Sequence, residues 1–180
     1  MITEIAFDGD PRGMYHHRHI TGSKPYRWTA EKILASNGAV FLLTGFYIQR
    51  YASIETDGLT GIYVLAETLK RMGRKVIIVT DNQTETSFRS LFPGFEQPLF
   101  PVDTDTTSSL TAANLLKSYT PDTVIAIERP GPDKNGRFRN FNGDDISSFT
   151  AGFHHLLVDD VFTIAIGDGG NELGISIPDN

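Results

Sequence analysis

Four short apolar runs without polar alternation divide the chain from residue 39 onward. They are Ala39–Leu43, Lys75–Val79, Thr123–Ile127 and Val161–Ile166. Runs of this kind are typical of strands that are buried on both faces of a parallel sheet. Because segments with helical periodicity separate the runs, the pattern predicts an α/β fold: a three-layer, mostly parallel, Rossmann-like sheet with helices on both faces.

The intervening segments carry apolar residues at helical spacing between capping and stop signals. The predicted helices are Thr29–Asn37, Leu59–Met72 with Asp57 as its N-cap, Thr84–Leu91, a helix from Thr107 or Ser108 to Lys117, and a helix capped by Asp144 or Asp145 that extends to Leu156. The segment Pro98–Val102 is predicted to be a weaker strand at the sheet edge, because it contains two prolines.

Length and composition predict a single α/β domain over residues 1–180, long enough to bury a sizeable core. Within it, residues 1–25 are predicted to form an extended or partner-contacting N-terminal segment. Such a segment explains His16, His17 and His19 better than a metal site does, because no carboxylate is spaced to join them.

Charge and cysteine content narrow the classes of partner. A formal net charge of −6 argues weakly against a nucleic-acid partner, because no basic patch is left for phosphates. No apolar run approaches the ~20 residues of a membrane span, and the first ten residues carry acids where a signal peptide carries bases. The absence of cysteine excludes disulfides and a thiol nucleophile. The sequence therefore predicts a cytoplasmic protein whose partner is a small molecule.

Acidic residues follow each of the strong predicted strands. In chain order they are Glu55 and Asp57, Asp81, Glu128, and Asp168 with Glu172. Because the carboxyl ends of parallel strands share one edge, these groups are expected to converge on one crevice. Helix capping alone would account for about half of them. Carboxylates gathered in a crevice repel one another, so they need raised pKa values or a cation, and Mg²⁺ or Mn²⁺ suits oxygen-only ligands.

Other residues on this rim indicate a binding site for a small molecule. Gly45, Gly169 and Gly170 are expected to line the crevice, where glycine lets the backbone approach a ligand closely. Three arginines, Arg129, Arg137 and Arg139, could grip a substrate carboxylate or simply pair with the acids. No Gly-x-Gly-x-x-Gly pattern follows the first strand and no Walker lysine is present, so no nucleotide cofactor is expected.

Three segments together resemble the catalytic domain of the D-glutamate cyclase family. They are Glu55–Gly58, Ile125–Gly131 continued by Asn135–Asn140, and Gly167–Gly174. The resemblance extends from about Phe41 to Gly174 and implies a carbon–oxygen lyase (hydro-lyase) that converts D-glutamate to 5-oxo-D-proline and water. The family is mitochondrial in animals, so an animal source would imply the mitochondrial matrix.

The chain departs from the family pattern in three places. Leu59 and Thr60 stand where the family usually has prolines, and Gly143–Asp145 stands where it tends to have a basic residue. The family also continues well beyond the last motif, whereas this chain stops at Asn180 and is expected to be C-terminally short. A sheet edge left uncovered in this way favours a homodimer or a larger homo-oligomer.

The cyclase interpretation assigns a role to each residue of the rim. Glu128 and Asp168 are the candidate catalytic bases, and Arg129 is the candidate clamp for a substrate carboxylate. The remaining expected substrate-binding residues are Gly45, Asn140, Gly169, Gly170 and Asn171. The candidate ligands of a metal or of the substrate ammonium are Glu55, Asp57, Asp81 and Glu172. Two alternatives remain: a non-catalytic module that binds an amino acid or metabolite, and a subunit of an assembly.

Overall fold

The computed structural model describes residues 26–103 and 105–174, and the prediction for residues 1–25, with its three histidines, lies outside the described residues. The strands are β1 (Ala39–Leu43), β2 (Tyr47–Ile48), β3 (Ser53–Ile54), β4 (Val76–Asp81), β5 (Leu99–Phe100), β6 (Pro121–Ile127) and β7 (Phe162–Ile166). The helices are α1 (Tyr26–Ala35), α2 (Asp57–Arg71), α3 (Glu85–Leu91) and α4 (Asp105–Tyr119).

The central sheet has five strands in the order β5-β4-β1-β6-β7, and every neighbouring pair is parallel. This confirms the predicted fold class and the four predicted central strands. β5 is an edge strand, as its prolines predict. The two-stranded antiparallel pair β2–β3 lies in the connection between β1 and α2.

Alternate residues of the buried strands supply two separate cores. Phe41 and Leu43 of β1 face one core, which α4 and the segment around Phe153 cover. Val40 and Leu42 face the other core, which α2 and α3 cover together with Ile33 of α1. Since both faces of the sheet are covered, the unalternated apolar pattern of the strands follows directly. Among the described residues, no helix is long and apolar enough to cross a membrane.

The helix predicted from Asp144 or Asp145 to Leu156 is wrong. The structure has two short 3₁₀ helices there, Ser147–Phe149 and Phe153–Leu156, with extended backbone at Thr150. Close packing against α4 explains the break, because a Cβ on Gly152 would lie 2.9 Å from the Cβ of Ser108. The apolar spacing imitates a helix, but the backbone must leave helical geometry to reach this contact.

The start of α2 differs in a smaller way from the prediction. Thr56 occupies the N-cap position, and Asp57 is the first residue of the helix, where its carboxylate accepts a hydrogen bond from Gly58 N at 2.8 Å. A negative charge in the first turn is favourable to the helix dipole. The acidic side chain therefore lies at the helix start, one position later than predicted.

Candidate functional site

A cavity of about 510 Å³ lies at the carboxyl ends of β1, β6 and β7. Seven of the twelve residues that the sequence predicts for the site line it: Glu55, Asp57, Glu128, Asn140, Asp168, Asn171 and Glu172. Arg129 follows Glu128 in the chain but does not line the cavity. The convergence follows from the parallel topology, because each of these segments leaves the sheet at the same edge.

Glu128 lies directly after β6 with a left-handed backbone, φ 47°. Its N–H still completes the sheet ladder by donating to Ile166 O of β7 at 2.9 Å. The start of α2 packs against it so closely that a Cβ on Gly58 would lie 3.0 Å from both the Glu128 Cβ and Ile127 O. The hydrogen bond to β7 and the packing against α2 thus fix the backbone and Cβ of Glu128. Only glycine fits at position 58, where the two segments touch.

The glycine-rich turn after β7 wraps around the carboxylate of Glu172. That carboxylate accepts hydrogen bonds from Gly169 N and Gly170 N, each at 2.7 Å, and Glu172 is only 4% exposed. A Cβ on Gly167 would lie 2.5 Å from the Glu172 Cγ, so the side chain can fold back only over a glycine. The turn therefore holds a buried negative charge with backbone donors.

Three further hydrogen bonds attach this turn to the rest of the site. The Asn171 side-chain amide donates to Arg139 O at 2.9 Å, and the backbone carbonyl oxygen of Asn171 accepts from Gly131 N at 2.9 Å. Leu173 N donates to Arg129 O at 2.6 Å. The two segments that follow β6 and β7 are therefore joined, and this fixes Glu128 and Glu172 relative to one another.

Glu128, Asp168 and Glu172 form the centre of the cavity's negative charge, since each offers an oxygen within 4.8 Å of the others. Burial raises the pKa of Glu128 to about 7, and repulsion by Glu172, Asp168, Asp57 and Glu55 adds to the increase. At neutral pH, Glu128 is therefore protonated in about half of the molecules, which makes it able both to take up and to release a proton.

Arg129 and Asp81 form a buried ion pair, with 2.8 Å between Nη1 and Oδ2 and both side chains 1% exposed. The Arg129 guanidinium also donates to Gly45 O at 2.8 Å and Ala151 O at 3.0 Å, and it lies 4.0 Å from the centre of the Phe153 ring. The structure thus places the predicted clamp and one predicted metal ligand against each other, and neither lines the cavity.

The glycines and the other two arginines also lie differently from the expectation. Gly45, Gly169 and Gly170 are not among the lining residues and serve through their backbone groups. Arg137 pairs with Asp145 at 3.5 Å, and Arg139 pairs with Asp133 at 2.9 Å, within the loop after β6. In the part of the chain that the structure describes, Arg50 is the one basic residue that lines the cavity.

The sequence reasoning missed the apolar part of the cavity wall. This wall, which we call the aromatic lip, consists of Phe46, Tyr47, Ile48, Phe141 and Ile146. Tyr47 stacks on Phe149 with 5.6 Å between ring centres, and Phe141 is 66% exposed. In the sequence, these aromatic residues stand out only as apolar positions in the polar connections that follow β1 and β6. That pattern does not indicate that the two connections line one cavity.

The three central carboxylates could hold a cation. An oxygen-only set of ligands suits a hard divalent ion such as Mg²⁺ or Mn²⁺, and Glu55 and Asp57 line the same cavity. Either a proton on Glu128 or a bound cation would relieve the repulsion among these groups. The arrangement can therefore exchange a proton for a cation, as metal sites built from carboxylates do.

Comparison with known proteins agrees with the resemblance of the three motifs. A family model described as D-glutamate cyclase-like, C-terminal, matches residues 4–176. The human protein named D-glutamate cyclase, mitochondrial, is 28% identical over an alignment of 163 residues, which takes in 76% of this chain and 25% of the human protein. The chain thus spans about a quarter of the length of this curated relative. Because the family model covers most of its length, the chain belongs to the D-glutamate cyclase-like family, matching the C-terminal part.

Proposed function

We propose that this protein is a lyase that closes D-glutamate to 5-oxo-D-proline with release of water. The observation that carries the proposal is the position of Glu128, a carboxyl group with a pKa of about 7 at the centre of a cavity large enough for the substrate. The name of the human relative supplies the substrate, and the matched family supplies the reaction type.

The reaction needs a group on the protein that transfers protons, because the nucleophile is the substrate's own α-nitrogen. The α-nitrogen of the substrate attacks the δ-carbon, one C–N bond forms and one C–O bond breaks. The ammonium group loses two protons, and the departing oxygen gains two and leaves as water. A carboxylate near neutrality can accept the first proton and return it to the departing oxygen. Glu128 fits this role, and Asp168, within 4.8 Å, is the second candidate.

A Mn²⁺ or Mg²⁺ ion would be held by Glu128, Asp168 and Glu172, and when bound it would offset the negative charge that faces the substrate's carboxylates. The three carboxylates would then have different roles. Glu172 is fixed by Gly169 and Gly170, so it acts from a constant position, whereas Glu128, whose pKa is raised, exchanges a proton.

Arg129 has a different proposed role from the clamp expected from sequence. Its guanidinium connects Gly45 after β1, Asp81 at the end of β4 and Ala151 after β6, and its backbone adjoins Glu128. We propose that it acts as a positioning residue that keeps the Glu128 backbone in its left-handed conformation.

The test is a chiral chromatographic assay of lactam from D-glutamate, with and without Mn²⁺ and against a blank without enzyme. Asp168→Asn is expected to lower turnover by orders of magnitude, whereas Asp160→Asn, an exposed acid near the opposite end of β7, is expected to leave it unchanged. D-glutamate binding in a calorimeter without any lactam would replace the cyclase with a non-catalytic binding module.

We also propose a homodimer. Within residues 26–103 and 105–174, β7 is an edge strand and its Ile166 is 49% exposed, so the described part of the sheet offers an apolar edge to a second copy. Light scattering is expected to give the dimer mass, and a monomer at high micromolar concentration would contradict it.

The proposed compartment is the cytoplasm, or the mitochondrial matrix for an animal protein, as the name of the human relative suggests.

A further inference from the structure

The cavity is larger and more negative than free glutamate requires. Its volume of about 510 Å³ falls in the range of about 300–1,000 Å³ that holds drug-sized ligands, and a five-carbon amino acid fills only part of it. The wall beyond the carboxylates is the aromatic lip. Aromatic and aliphatic side chains bind apolar groups, for which free glutamate has no counterpart.

The charge of the cavity points the same way. Among the residues that the structure describes, seven carboxylates and one guanidinium line it: Glu55, Asp57, Glu128, Asp144, Asp145, Asp168 and Glu172 against Arg50. Asp145 pairs with Arg137, and a divalent cation would offset two further charges, yet the described lining residues together would stay negative. A cleft of one sign concentrates ligands of the opposite sign and repels those of its own. Free glutamate carries a net negative charge, whereas its γ-amides are neutral overall.

We infer that the cavity accepts N-substituted γ-amides of D-glutamate, with the substituent against the aromatic lip, and expels an amine in place of water. This inference rests on the proposed ring-closing function and names its substrate class. The amide keeps the α-ammonium and α-carboxylate groups that ring closure needs, removes the γ-carboxylate charge, and provides an apolar group for the lip.

The chemistry of the amide balances without a further reactant. The α-nitrogen bonds to the δ-carbon, and the bond from the δ-carbon to the amide nitrogen breaks. The α-ammonium group loses two protons. The departing nitrogen gains one and leaves as a neutral amine, and the second proton passes to the solvent or, if the released amine is basic, to that amine. Glu128 transfers protons between the two nitrogens, as it does between nitrogen and oxygen for the free acid.

Three substrates separate the two arguments: D-glutamate, D-glutamine and γ-D-glutamyl-4-nitroanilide. D-glutamine removes the γ-carboxylate charge and replaces the departing oxygen by nitrogen. The anilide adds the aromatic group and a better leaving amine, so the contact with the lip is judged from the variants below and not from the anilide rate alone. We expect kcat/KM to rise by about tenfold or more from D-glutamate to the anilide, the low end of what electrostatic steering provides. Lactam is measured by chromatography for all three, 4-nitroaniline by its absorbance, and each substrate has a blank for spontaneous closure.

A matched pair of variants tests the lip. Phe141→Ala is expected to lower the anilide-to-glutamine ratio of kcat/KM by about 2- to 10-fold, the range of one aromatic contact. Tyr63→Ala removes an exposed aromatic residue of α2 that does not line the cavity, and the ratio should not change.

The outcomes separate the inference from the proposed function. Turnover of D-glutamate that exceeds turnover of both amides overturns the inference and leaves the cyclase in place. No lactam from any of the three overturns both. Lactam from the amides alone supports the inference and replaces free D-glutamate as the substrate. An unchanged ratio in Phe141→Ala overturns the placement of the substituent.

Discussion

The raised pKa of Glu128 has a consequence for stability that does not depend on any substrate. A carboxyl group whose pKa is higher in the folded state than in the unfolded state favours folding while it is protonated. That contribution is complete below the unfolded value of 4.5 and is lost as the pH rises through about 7. Replacement by glutamine keeps the shape and removes the charge, so Glu128→Gln should be more stable than the wild type at pH 8 and equally stable at pH 4.5.

The magnitude follows from the same values. For a fully buried group, an increase from 4.5 to about 7 corresponds to about 3.4 kcal/mol, at about 1.36 kcal/mol for each pH unit. Glu128 is only half-buried, and solvent screening reduces the effect. We therefore expect Glu128→Gln to raise the free energy of unfolding at pH 8 by about 1–2 kcal/mol, or the melting temperature by roughly 2–8 °C.

The assay is urea denaturation of the two proteins from pH 4.5 to pH 8.5 in buffer with a chelator, with Asp160→Asn as the matched acid-to-amide control. The difference between wild type and Glu128→Gln should grow with pH, whereas the control should show no such trend. A Glu128→Gln variant that is less stable than the wild type at pH 8, or a difference independent of pH, would refute the electrostatic reasoning. Added Mn²⁺ should reduce the difference if the cation binds the three carboxylates.

Three further predictions concern the support of the site. Arg129→Met should lower the free energy of unfolding by about 3–5 kcal/mol, because it leaves Asp81 buried without its partner. Arg129→Met combined with Asp81→Leu should recover part of that loss in urea denaturation, and no recovery would contradict the pairing. Gly167→Ala should lower stability by about 1–3 kcal/mol and lactam formation at the same time, since its Cβ would meet Glu172. Full activity in that variant would argue against a fixed Glu172. Titration of the wild type with Mg²⁺ at pH 7 should release up to about half a proton per site, measured by calorimetry in two buffers, and Glu128→Gln should release none.

The sheet could be predicted because its strands are buried on both faces. Val40, Leu42 and their neighbours in β1 alternate between two cores, so no polar position interrupts the run. The same topology made the convergence of Glu128, Asp168 and Glu172 predictable, because the ends of parallel strands meet at one edge.

The predictions that were wrong concern features that depend on tertiary contacts, which the spacing of residues along the sequence does not indicate. The apolar positions 146–156 imitate a helix, yet the chain becomes extended at Thr150 so that Gly152 can pack on α4. The direction of the Arg129 side chain depends on Asp81, which is far away in sequence. Part of the aromatic lip lies on the short β2–β3 pair. The turn of this pair has a left-handed backbone at Ala52, φ 46°, which an alanine in the sequence does not predict.

The most direct test of the account is the pH dependence of kcat/KM for lactam formation from D-glutamate, measured between pH 5 and pH 9 without added cation. If the Glu128 carboxylate takes the proton, the rate constant should rise about tenfold for each pH unit at low pH and level off near pH 7. Asp160→Asn should reproduce that profile, and Glu128→Gln should form no lactam above the blank. A profile that is flat across this range, or a Glu128→Gln variant with wild-type turnover, would contradict the assignment of Glu128 as the base.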